Sequence, residues 1–82
     1  MREPTTSEKA LQVFGRCLVE LREERGWSTA ELAEKAGLDA AVVDAYERGK
    51  TSASLTDQRL LAKAFGVNVA QLVGLSEGGR AR

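Results

Sequence analysis

Leu11, Phe14, Leu18 and Leu21 step along the chain by three, four and three. That spacing puts them on one stripe and predicts a helix over about residues 7–25. Ala10, Val13 and Cys17 make a second, weaker stripe on the same helix, and Gly26 is placed to close it. Ser28, Thr29, Ala30 and Glu31 read as a capping box, with Trp27 and Leu32 as its hydrophobic staple. A second helix follows, carrying Leu32, Ala33 and Ala36 and ending at Gly37. Asp39 is a good N-cap for a third helix that runs to about Arg48 and stops at Gly49, with Leu38 and Val43 as staple. Residues 50–53 read as a loop. Ser54 to Asp57 open a fourth helix, which carries Leu55, Leu61, Ala62 and Phe65 and closes at Gly66. Asn68 caps a short fifth helix over residues 69–73, with Gly74 as its stop. Strand-like alternation is absent. The expected division is a flexible leader over residues 1–6, one domain over 7–75 and a flexible tail over 76–82.

Composition narrows the chemistry. With 82 residues there is room for one domain and one small core. No apolar run approaches the length that spans a membrane, and the first residues do not resemble a secretion signal. One cysteine allows no internal disulfide and points to a reducing, cytoplasmic setting. No histidine is present, which removes a histidine general base and every His/Cys zinc site. Nothing in the pattern asks for a cofactor. An enzyme is the weakest reading, because Asp44, Glu47 and Asp57 show no acid–base pairing and no phosphate-binding glycine loop occurs. Twelve basic and twelve acidic residues balance, so bulk charge gives nucleic-acid binding no support.

The second and third helices are joined by a turn of about three residues, which forces a steep crossing. Such a crossing needs a small residue where the backbones approach and a residue at ease with positive φ in the turn. Counting from Thr29, Ala33 stands fifth, Gly37 ninth and the β-branched Val43 fifteenth. Leu32, Ala36, Leu38 and Tyr46 complete an inward-facing set. Together these describe a helix-turn-helix.

Four segments carry a wider resemblance: LREERGWS at residues 21–28, ELAEKAGL at 31–38, YERGK at 46–50 and LAKAFGV at 61–67. The chain resembles the lambda-repressor/Cro-type, or XRE, helix-turn-helix family across residues 14–73. The resemblance implies an all-α, compact five-helix domain, a homodimer that binds double-stranded DNA, and a repressor. It also implies that the third helix lies in the major groove. On that pattern the DNA-facing residues are Ser28 and Thr29 at the start of the second helix and Ala40, Ala41, Asp44 and Ala45 on the third. Lys50, Thr51 and Ser52 in the loop and Arg59 on the fourth helix complete the set. Arg22 and Glu47 occupy positions that form a structural ion pair in the family; otherwise they are two separate surface charges.

The reading face departs from the family. Family members commonly have Gln where Thr29 stands, and polar residues where Ala40, Ala41, Val42 and Ala45 stand. No residue on that alanine-rich face makes a bidentate contact to guanine or adenine. Asp44 accepts from cytosine at best, and an unpaired carboxylate repels phosphate. Residues 28–50 hold five acids (Glu31, Glu34, Asp39, Asp44, Glu47) and three bases (Lys35, Arg48, Lys50). A second reading therefore stays open: a helix-turn-helix repurposed as an antirepressor or adaptor, meeting a protein partner through the small, apolar third helix. Trp27 reads as a core staple or a stacking platform, and Cys17 as an apolar filler or a redox sensor. For a homodimer, Leu72, Val73 and Leu75 are the first candidate contacts, then Val13 and Cys17.

Overall fold

The structure, a computed structural model, describes residues 5–76. They form five helices: α1 (Thr6–Glu24), α2 (Thr29–Ala36), α3 (Ala40–Glu47), α4 (Leu55–Phe65) and α5 (Val69–Ser76). No strand occurs among the described residues. Residues 1–4 of the expected leader and 77–82 of the expected tail lie outside them.

Helix starts follow the capping chemistry. The Ser28 hydroxyl accepts from the Glu31 amide at 3.0 Å, and Glu31 Oε1 accepts from the Ser28 amide at 2.7 Å. Asn68 and Gln71 make the same reciprocal pair at the start of α5, at 2.7 and 2.9 Å. Thr5 and Glu8 do so at the start of α1, at 3.1 and 2.8 Å. Helix α1 therefore begins at Thr6, one residue earlier than the stripe predicts, and Thr5 is its cap. Asp39 differs from expectation in the other direction. It stands at the N-cap of α3 with extended backbone, but its side chain makes no capping bond. Only its carbonyl engages, accepting from Val43 at 3.1 Å.

The fifth helix runs past its expected stop. Gly74 lies inside α5 and its φ is not positive. A glycine ends a helix where the chain turns left-handed, and here it does not turn.

Each helix contributes one aliphatic side chain with no exposed surface: Leu18, Leu32, Val43, Leu61 and Leu72. Leu21, Ala33, Ala36, Tyr46, Ala62 and Phe65 fill the space between them. Helix α2 packs on α3 and α4, while α1 packs on α3 and α5. Gly15 lets α1 approach closely: a Cβ there would lie 2.5 Å from the carbonyl oxygens of both Tyr46 and Glu47.

Three apolar expectations change. Leu72 and Cys17 are buried in the core of the single chain, so neither is available as a dimer contact. Cys17 is a filler of the interior. Val73 is half-buried, Val13 is exposed, and the Leu75 side chain lies outside what is described. Leu55 opens α4 where the other helices leave it uncovered, and it is 55% exposed instead of joining the core stripe. No helix among the described residues is long and apolar enough to cross a membrane.

Candidate nucleic-acid interface

The turn between α2 and α3 is closed by backbone. Gly37 has φ 74° and ψ 32°, its amide donates to Glu34 O at 3.2 Å, and the Leu38 amide donates to Ala33 O at 2.9 Å. A Cβ at Gly37 would meet nothing within 4 Å. The left-handed backbone alone therefore asks for glycine there. Ala33 is buried on the inner side, as the crossing requires.

Val43 and Tyr46 turn α3 toward the core, and Val42 packs against it half-buried. Val42 is thus not part of an apolar outer face. The opposite stripe consists of Ala41, Asp44, Ala45 and Arg48, spaced three, four and seven residues on from the first. Ala41 and Arg48 are exposed, Asp44 and Ala45 partly so; Ala40 is exposed at the first turn.

A buried-edge network fixes how this helix is held. Arg22 Nε donates to Glu47 Oε2 at 2.7 Å and Nη2 to Oε1 at 3.3 Å, while Nη1 donates to the Trp27 carbonyl at 3.1 Å. The expected structural ion pair is therefore formed, with side chains 16% and 6% exposed. The hydrogen bond to Glu47 raises the Arg22 pKa, against the opposing effect of burial. The Thr29 hydroxyl also donates to Glu47 Oε1, at 2.8 Å. This corrects the reading of Thr29: its one hydroxyl proton is spent inside the protein and is not free for a phosphate. The same bond sets the amino end of α2 against the carboxyl end of α3, beside Arg48 and the loop that follows.

Tyr46 ties α3 to α4 by donating its hydroxyl to Asp57 Oδ2. Burial pushes the Tyr46 hydroxyl up to about 12, and the hydrogen bond to Asp57 adds to it.

Asp44 is not the unpaired carboxylate that the sequence suggests. Arg48 Nε lies 2.8 Å from its Oδ2, one turn on along the same stripe. Three of the five acids between residues 28 and 50 thus have partners at hand: Glu31 in the cap, Asp44 with Arg48, and Glu47 with Arg22. Only Arg22, which lies outside that segment, offsets one of its excess acidic charges, while Glu31 keeps its charge in the cap.

The remaining candidates occupy three places. Lys50, Thr51 and Ser52 are exposed in the segment after α3, where the Lys50 amide donates to Ala45 O at 3.0 Å. Ser28 is exposed at the amino end of α2. Arg59 stands apart on α4, lining with Lys63, Val67 and Val69 a shallow groove of about 550 Å³ toward α5. Trp27 is no platform for a ligand: its ring stacks on Phe65 at 5.9 Å, and the Lys35 ammonium lies 4.8 Å from its centroid. Arg48, which the pattern of family contacts does not name, stands on the same outward stripe. Its spacing of four from Asp44 was readable; its place on the outward stripe needed the orientation of α3.

A family model described as helix-turn-helix matches residues 18–72. The chain belongs to that helix-turn-helix family. Its match begins at Leu18 in α1 and ends at Leu72 in α5, two of the five fully buried anchors. Among solved structures, the restriction-modification controller protein C.AhdI from Aeromonas hydrophila is 39% identical with a TM-score of 0.72, over 76% of this chain and 94% of that one. The clp gene regulator ClgR from C. glutamicum is 25% identical with a TM-score of 0.75, over 94% and 95% of the two chains. The hypothetical transcription factor NHTF from Neisseria is 28% identical with a TM-score of 0.76, over 99% and 93%. A curated relative described as a Neisseria hypothetical transcription factor, from Neisseria meningitidis serogroup B, is 40% identical over 52 residues. That alignment takes in 63% of this helix-turn-helix chain, which spans about half the length of the curated relative.

Proposed function

We propose that this helix-turn-helix chain is a DNA-binding transcriptional regulator, a repressor that holds its operator as a homodimer. One observation carries the reading. The Thr29–Glu47 bond sets the amino end of α2 against the carboxyl end of α3, from which the exposed segment holding Lys50 runs on. A helix amino end and the exposed Lys50 suit phosphates, and the outward stripe of α3 suits a groove. The names of its structural relatives, a controller protein and a gene regulator, support the same class. The adaptor reading loses its main support, because Val42 packs on the core and Asp44 is paired.

Affinity on this reading comes mostly from phosphate contacts, so it falls steeply with salt. Titration of random-sequence duplex at two salt concentrations tests it. Lys50→Ala should weaken binding to all sequences alike and flatten the salt slope by about one unit. Absence of duplex binding at low salt overturns the reading. Sedimentation equilibrium tests the homodimer, with Val13, Val73 and Leu75 as the remaining candidate contacts; a species of only 8.8 kDa at high concentration removes it. A reporter driven from a selected site should fall when the protein is expressed.

A further inference from the structure

We propose that Arg48, the C-cap residue of α3 positioned by Asp44, is the base-reading side chain of the outward stripe and that it selects guanine. The inference rests on the DNA-binding reading above. Ala40, Ala41 and Ala45 carry no side-chain hydrogen-bonding group, and ionised Asp44 can only accept. Arg48 is therefore the one donor on the outward stripe. Guanine presents two acceptors in the major groove, N7 and O6, and a guanidinium fork matches both at once.

Asp44 supplies what a lone surface arginine lacks. Its Oδ2 holds Nε of Arg48 at 2.8 Å. A carboxylate on Nε restricts the plane of the guanidinium and leaves its two terminal amino groups for another acceptor, at the edge of a shallow groove that Arg48 shares with Gln12 and Arg16 of α1. Less rotamer freedom is then lost when the base is bound. Glu47, the other acid next to Arg48 in the chain, cannot take this part, since Arg22 and Thr29 occupy it. Stability does not explain the pair: Arg48 is 63% exposed and Asp44 47%, and ion pairs so open to water add little. The pair is also neutral as a unit. It contributes selection, while Lys50 and the amino end of α2 contribute attraction. Asp44 is a positioning residue, and Arg48 is the group that touches the base.

The test is selection from a random-sequence duplex library by the wild type, Asp44→Asn and the double variant Asp44→Asn/Arg48→Gln. The double variant keeps the pair neutral. The variant's affinity for unselected duplex is measured alongside, so that a change in base preference is read apart from a change in overall attraction. The double variant should lose the preference for guanine at one position of the selected site, by roughly 5- to 150-fold, and drift toward adenine, which glutamine matches. Asp44→Asn alone should bind unselected duplex more tightly and select guanine less sharply. A structural role alone would shift no base preference, and thermal melts of the variants should match the wild type. If the double variant enriches the wild-type site unchanged, or the wild type binds duplex but enriches no guanine, the proposal is overturned while DNA binding stands. If the wild type retains no duplex at low salt, both readings fall.

Discussion

Gly15 and Gly74 both lie inside helices, yet what surrounds them gives opposite expectations. At Gly15 an added Cβ would sit 2.5 Å from two backbone carbonyl oxygens at the end of α3. Alanine there gains up to about 1 kcal/mol of helix propensity but must push two helices apart, at roughly 1–3 kcal/mol. Carbonyls cannot rotate aside as a flexible side chain would, so the loss wins. Urea denaturation should show Gly15→Ala less stable than the wild type. At Gly74 a Cβ would meet nothing within 4 Å, and the backbone is already helical. Gly74→Ala should raise stability by about 0.5–1 kcal/mol. The same denaturation series checks both.

Helix α3 carries two ion pairs that differ in burial, and burial sets their worth. Glu47 serves Arg22 and Thr29 with its side chain only 6% exposed. Glu47→Ala leaves a largely covered guanidinium and a hydroxyl without their acceptor. Its cost should approach the roughly 3–5 kcal/mol of a broken buried pair. Asp44→Ala, on the open side of the same helix, should change stability by no more than about 0.5 kcal/mol. Tyr46 adds a pH dependence to the join between α3 and α4. The unfolded hydroxyl ionises near 10.0, whereas the folded one is held to about 12. The fold favours the neutral form, so its contribution is complete below pH 10 and is lost as pH rises toward 12. As the chain has one tyrosine, tyrosinate absorbance reports this group alone. Stability of Tyr46→Phe should decline less than that of the wild type between pH 10 and 12.

In the assembled bundle, five buried aliphatic anchors, one from each helix, meet in one interior. A domain this small has little stability to spare, and among the described residues of α5 the fully buried anchor is Leu72. Leu72→Ala should cost roughly 2–5 kcal/mol in thermal or chemical unfolding. Since Leu72 is internal to the monomer, that loss should be the same at low and high protein concentration. A concentration-dependent loss would return Leu72 to a subunit interface.

Helix number, helix starts and the α2–α3 turn were legible along the chain because their causes are local. Apolar spacing, a Ser-x-x-Glu cap and a glycine at the turn act within a few residues of each other. Even the start of α1 was written there, as Thr5 and Glu8. The Arg22–Glu47 pair came from likeness to a family, since nothing in its separation of 25 residues predicts a bond. What faces what was settled by packing. Val42 and Val43 are equally apolar neighbours, and only the placement of α3 on the core buries one fully and the other in part. Thr29 has a hydroxyl suited to a phosphate, yet the carboxyl end of α3 arrives beside it and takes the proton. Gly15 gave a local cue as a lone glycine in a helical stripe, but its reason lies in the end of α3. A side chain's chemistry is set by its own atoms, whereas its partner depends on where the other helices come to rest.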